Sequence, residues 1–216
     1  QKWTLFPYTT LFRSLKDLND FLLSNNSEDI ISSSIEYDHL SIDIVLSSIE
    51  NITSILKVNS ICKFRTLIDI TAIDYLSEEK RFTLVYHYLS MQQNIRIRLK
   101  SSIKEGQIVP SITKLFPAAN WFEREVFDMY GILFSNHPDM RRILTDYGFQ
   151  GHPLRKDFPT TGYLELRYDQ ERKKVVYEPV KLTQEYRRFD FMSPWEGEGF
   201  VFEQSGEVQE ENKENG

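Results

Sequence analysis

The chain has 216 residues, 40% of them hydrophobic, 13% aromatic and 27% charged, with a formal net charge of −6. These values fit one sizeable globular domain with a real core and an added arm, and the acidic balance argues against nucleic acid, whose phosphates need a basic footprint. A single cysteine, Cys62, excludes a disulfide framework and an iron–sulfur cluster held by this chain alone, and no apolar run approaches the ~20 residues that span a bilayer.

Residues 1–14 show no secretory-signal pattern and are read as an N-terminal arm. Leu11, Leu15, Leu18, Phe21 and Leu22 recur at helical spacing, which predicts an amphipathic helix over 14–24. Ile35 and Tyr37, a turn at Asp38-His39, then Leu40, Ile42, Ile44 and Leu46 in alternation predict a hairpin. Ile49, Ile52, Ile55 and Leu56 form a helical stripe ending near Asn59. Three strands follow, at 63–73 (Phe64, Thr66, Ile68, Ile70 and Ala72 on one face), 81–89 and 94–100, joined by hairpin-length separators. The order predicts an α+β domain over 15–144, with a mostly antiparallel sheet flanked by helices.

Beyond it, glycines and prolines break up 145–162. Two short strand-like pieces, 164–168 and 174–180, come next, then an irregular aromatic stretch. The segment 145–196 is read as an extended partner-binding arm. The acidic stretch 197–216, with five Glu in its last fourteen positions, is read as a disordered tail.

The most informative stretch is 119–144, ANWFEREVFDMYGILFSNHPDMRRIL. Glu123, Arg124, Glu125, Asp128, His137, Arg141 and Arg142 are threaded through Trp121, Phe122, Phe127, Tyr130 and Phe134. Charges in such a background pair or are partly buried, because an unpaired buried charge is costly. Asn120 reads as an N-cap with Glu123 completing a capping box, and Gly131 as the stop, so 121–130 is predicted helical. Phe122, Val126 and Met129 are expected to face the sheet, Trp121, Glu125 and Asp128 to share a flank, and Arg124 to pair with Asp128 at i,i+4.

Two neighbouring carboxylates, Glu125 and Asp128, invite a general acid/base reading. Against it, Arg124 stands ready to neutralise them, and no Ser or Cys nucleophile accompanies them. The four histidines are scattered, and only Asp128, His137 and Asp139 could gather around a metal. Neither a GxxxxGK[ST] nor a GxGxxG loop is present. Three basic doublets, Arg141-Arg142, Arg155-Lys156 and Arg187-Arg188, each lie beside an aspartate in the aromatic part, a texture of protein–protein contacts. By elimination the chain reads as a cofactor-free module that binds other proteins.

The spacing E-R-E-x2-D-M-Y-x6-H-x3-R-x-I-L, from Glu123 to Leu144, resembles the signature of the 30-kilodalton-type subunit of respiratory complex I, known in mitochondria as NADH dehydrogenase subunit 9. The stretches LTDYGFQGHPLRKDFPTTGY (144–163), ELRYD (165–169) and EPVKLTQEYRRFDFMSPWEG (178–197) resemble the same family. The wording of 144–163 is closest to mitochondrial members, with bacterial relatives near.

The resemblance implies a core structural subunit of the peripheral arm, in the quinone module of proton-pumping NADH:ubiquinone oxidoreductase. It implies no catalytic residue and no flavin, cluster or quinone site on this chain. The complex itself uses FMN, iron–sulfur clusters, NADH and ubiquinone. The implied partners are the hydrogenase-large-subunit-like quinone subunit and neighbouring cluster-bearing subunits. The implied location is the matrix side of the mitochondrial inner membrane, or the cytoplasmic face of a bacterial membrane. Structural or interface roles then fall to Glu123, Arg124, Glu125, Asp128, His137, Arg141, Arg142, Arg155, Phe158, Tyr163, Arg187, Phe189, Phe191 and Trp195. Two rivals stand beside this reading: the equivalent scaffold of a membrane-bound hydrogenase or plastid quinone-reductase complex, and a free-standing hydrolase using Glu125 and Asp128.

Overall fold

The computed structural model describes residues 14–59, 62–184, 186 and 187. The readings made for Leu11, Arg188, Phe189, Phe191, Trp195 and the acidic stretch 197–216 lie outside the described residues.

Helix α1 (Leu15–Asn25) starts on a capping box. The Ser14 hydroxyl accepts the Asp17 N–H, and the Asp17 carboxylate accepts the Ser14 N–H. Ser14 thus belongs to the helix and not to an arm. Strands β1 (Ile30–Glu36) and β2 (His39–Ile44) form the expected hairpin. Its turn falls one residue early, on Tyr37 and Asp38, at φ 50° and 59°. Two successive left-handed residues match the right-handed twist of the strands, and His39 is drawn into pairing with Glu36. A 3-10 turn (Leu46–Ser48) leads into α2 (Ile49–Val58), which buries Ile49, Ile52 and Leu56.

Strands β3 (Thr66–Asp74), β4 (Phe82–Ser90) and β5 (Ile95–Ile103) run antiparallel. The sheet order is β1-β2-β5-β4-β3. β2 pairs with β5 in parallel, Leu40 opposite Ile97 and Ile42 opposite Leu99. The fold is therefore α+β with a mixed, mostly antiparallel sheet. One sheet face carries Leu40, Ile42, Leu84, Tyr86, Tyr88, Ile97 and Leu99, all buried in one core with the stripes of α1, α2 and α3 (Ala119–Tyr130).

The expected face of β3 needs correction. Leu67, Ile70 and Ala72 are buried, whereas Ile68 is 41% exposed. Pairing passes from Leu67–Tyr88 directly to Asp69–His87, so Ile68 is the extra residue of a β-bulge. A one-residue insertion flips alternation, which is why a period-two count across it assigns the wrong face.

Two short strands, β6 (Val109–Pro110) and β7 (Phe134–Ser135), pair in parallel, and α3 packs on β3. The chain divides into two compact units, Gln1–Tyr163 and Leu164–Gly216. Residues 145–163 thus fall in the first unit, later than the expected boundary at 144. In the second unit, β8 (Leu164–Asp169) and β9 (Lys174–Pro179) form an antiparallel hairpin.

Candidate functional site

Helix α3 ends at Gly131, whose φ of 79° gives the left-handed cap expected of it. Its start differs from expectation. The N-cap is Ala118, without a side-chain bond, and Asn120 lies inside the helix. Glu123 is turned inward instead: Oε1 accepts the Ile112 N–H at 2.8 Å. Its partner across the pocket is His137, Nε2 to Oε2 at 3.9 Å, both side chains fully buried. His137 Nδ1 accepts the Asp139 N–H at 3.0 Å, which leaves the proton on Nε2, directed at the Asn120 carbonyl at 3.2 Å. Burial pushes the Glu123 carboxyl up to about 7, against bonds from Ser111 and Ile112 that lower it.

Asp128 is the opposite case. Its carboxylate is fully buried and saturated. Oδ2 accepts the N–H groups of Ile143, Leu144 and Thr145 at 2.8–3.1 Å. Oδ1 accepts the Thr145 hydroxyl and Arg142 Nη1, the latter at 3.0 Å. Burial raises this acid, but the Thr145 hydroxyl and the three backbone donors outweigh it and hold the group at about 2. The expected Arg124–Asp128 pair is not formed. Arg124 donates to the carbonyls of Arg141 (2.8 Å) and Arg142 (3.3 Å) and lies over Trp121. Asp128 faces the returning strap at 142–145, so its i,i+4 neighbour is out of reach. Nor do Trp121, Glu125 and Asp128 share one environment: Trp121 and Glu125 are exposed, and Asp128 is buried.

The strap then closes the C-terminal end of α3. His152 Nδ1 donates to the Asp128 carbonyl, the Leu154 N–H to that of Met129, and Arg155 Nε to that of Tyr130. Carbonyls at a helix end lack intrahelical partners, and three side-chain and backbone donors supply them. Arg155 also pairs with Glu105 and stacks over Phe82. Arg81 stacks over the same ring and grips buried Asp74 through two nitrogens, at 2.8 and 3.0 Å. It reaches Asp157 and Glu105 as well, and the Lys156 N–H donates to Asp74. This Asp74–Arg81–Asp157–Glu105–Arg155 network fastens the strap to the sheet end, which explains why 145–163 packs with the domain. Its signal in the sequence was faint: Asp74 at the end of a strand that already holds Asp69 and two threonines. On the strap Phe158 meets Tyr163 edge to face and Phe149 at a tilt.

Glu125 and Asp128 do not form a matched pair, the first being exposed and the second buried. Asp128 has no free lone pair aimed at a cleft, and Glu125 points to solvent. Asp139 binds Arg141, while Asp128 turns to Arg142, so these aspartates do not gather with His137. Arg187 is exposed.

The second unit carries a surface of another kind. The β8–β9 register sets Leu164, Leu166 and Tyr168 opposite Pro179, Tyr177 and Val175, so all six lie on one face. Leu164, Leu166, Tyr168, Val175 and Tyr177 are each more than half exposed. The other face is charged and carries the Arg167–Glu178 pair at 2.8 Å.

The first unit thus carries a saturated ionic junction, and the second an exposed apolar hairpin. The description "Respiratory-chain NADH dehydrogenase, 30 Kd subunit" matches residues 42–164, and the chain belongs to that family. It is 57% identical over 191 residues to an NADH-quinone oxidoreductase subunit of Ruegeria sp. (strain TM1040), covering 88% of this chain and 95% of that protein. The subunit of the same name from Dinoroseobacter shibae is 58% identical over 193 residues, covering 89% and 90%. Among solved structures, a chain of the membrane-bound sulfane sulfur reductase, an archaeal respiratory membrane complex, shares the fold. Its TM-score is 0.58 at 24% identity, over 67% of this chain and 85% of that one.

Proposed function

We propose that the chain is a structural subunit of a proton-pumping NADH:quinone oxidoreductase, holding neighbouring subunits in place without a redox centre of its own. The exposed apolar face of the β8–β9 hairpin carries this reading. A lone two-stranded hairpin is marginally stable in water, and a contiguous apolar patch of this kind fits a protein–protein contact. On this reading FMN, the iron–sulfur clusters, NADH and quinone are handled by other subunits, and the isolated chain is inactive. The hairpin docks on the hydrogenase-large-subunit-like quinone subunit, with cluster-bearing subunits as further neighbours.

On this reading the subunit sits in the peripheral part of a membrane-associated complex; no helix among its described residues is long and apolar enough to cross a membrane. The bacterial relatives favour the cytoplasmic face of a bacterial membrane, and the wording of 144–163 favours the matrix face of the mitochondrial inner membrane. Ending the chain after Tyr163 tests the reading. The shortened protein is expected to fold and to drop out of the purified complex, with loss of NADH:quinone activity. A shortened chain that still copurifies with an active complex would overturn it.

A further inference from the structure

We propose that the outer face of the sheet carries a binding site for a phosphate-type oxyanion, formed by His39, His87, Arg96 and Arg98. In the β4–β5 register His87 stands directly opposite Arg98. The parallel β2–β5 register sets Leu40 opposite Ile97, which brings His39 beside Arg96. Side chains on one face of adjacent strands lie roughly 5 Å apart, within reach of one ligand.

These four groups line a hollow of about 270 Å³ together with Ile68. Its floor is the strand pair at Tyr88 and Ile97, whose own side chains lie in the core. The β3 bulge makes the far wall, because it turns the Ile68 side chain outward. The hollow is thus a product of backbone geometry and not a gap between flexible side chains.

Charge pairing elsewhere in the same unit sets this place apart. Arg81, Arg142 and Arg155 each grip a carboxylate, and the last two a backbone carbonyl as well. Arg96 and Arg98 form no hydrogen bond or ion pair with a described residue, and Arg98 Nε is buried without a partner. In the strand registers Asp69 stands opposite His87, and Glu36 opposite His39. Neither carboxylate lines the hollow.

Two guanidinium forks and two imidazoles offer a fan of N–H donors that suits a tetrahedral oxyanion. The open side leaves room for the group a phosphate ester carries. Burial, then the Arg98 charge, push the His87 imidazole down, and Asp69 opposes them. A bound anion reverses that balance, so occupancy should raise the His87 titration.

The test is NMR of the full chain with labelled histidine rings. The probes are inorganic phosphate, and separately vesicles of phosphatidylglycerol or of phosphatidylcholine. Saturable shifts of both His39 and His87 with phosphate, matched by an upward move in His87 titration, support a free-phosphate source. Saturable shifts with phosphatidylglycerol alone support a lipid headgroup. Potassium acetate at matched ionic strength should give neither, a control that needs no variant. The R96Q/R98Q variant, whose changes lie on the uncovered strand face, should keep its core amide signals and lose the shifts at least tenfold in affinity. Shifts with neither probe, or equal shifts in the variant, would overturn the proposal.

Discussion

Glu123 and Asp128 sit on one helix, both wholly buried, with opposite electrostatics. Donors decide the difference. Asp128 receives three backbone N–H groups, a hydroxyl and a guanidinium, so its charge is better served inside than in water. Asp128→Ala removes the hub of that network and strands Arg142, at a cost of about 3–5 kcal/mol by chemical denaturation. Arg124→Ala removes only donors to two carbonyls and should cost about 1 kcal/mol. Equal costs for the two variants would show that Arg124, and not Arg142, supports Asp128.

Glu123 has only neutral donors, the Ile112 N–H at Oε1 and Ser111. Its folded value of about 7 lies above its ordinary 4.5, so the folded chain holds the proton more tightly than the unfolded chain. Its contribution to stability is therefore complete below pH 4.5 and is lost as pH rises through 7. Glu123→Gln keeps the acceptor for Ile112 and removes that loss. The variant should gain about 3 kcal/mol over the native chain at pH 8 and less than about 1 kcal/mol at pH 5, read from paired melting curves. A gain independent of pH would rule out titration of Glu123 as the cause.

At the level of elements, periodicity made most of the fold legible. Alternation marked the β1–β2 hairpin and β5, and the stripes of Leu18, Leu22, Ile52 and Leu56 marked α1 and α2. Three features were hidden for physical reasons. The Ile68 bulge breaks the very period used to read β3. The parallel β2–β5 pair joins strands far apart in the chain, and hydrophobic pattern records which face is buried, not which neighbour is paired. Glu123 spaced as a capping residue was recruited by the Ile112 N–H instead.

Gly131, read from sequence as a helix stop, does more than end α3. A Cβ there would lie 2.6 Å from both Arg155 Nη2 and His152 Nε2, the groups that bind the strap to the helix end. Gly131→Ala should therefore cost clearly more than Gly148→Ala. Gly148 shares the left-handed φ, at 80°, but has open space around it. The control should lose about 1 kcal/mol for backbone strain alone, and Gly131→Ala two to three times that in denaturant unfolding. Similar losses at both positions would mean that the strap yields without cost.

For the whole molecule, motif spacing carried the family. The extent of the first unit was not readable, because the strap is held by side chains from four separate regions, Asp74, Arg81, Glu105 and α3, rather than by any periodic pattern. That division of labour sets a final expectation. If the ionic junction builds the subunit and the hairpin's apolar face joins it to others, the two can be broken separately. Leu166→Asp with Tyr168→Asp alters only exposed positions and should change the melting point of the isolated chain by no more than a few degrees. It should also abolish recovery of the subunit in the purified oxidoreductase, since two charges would be desolvated at the contact. Arg167→Ala, on the opposite face, loses one exposed ion pair with Glu178, roughly 0–1 kcal/mol, and should assemble normally. Normal assembly of the double aspartate variant would move the docking role away from this face. Failure of both variants would mean that the hairpin's fold, and not its apolar surface, is what the complex requires.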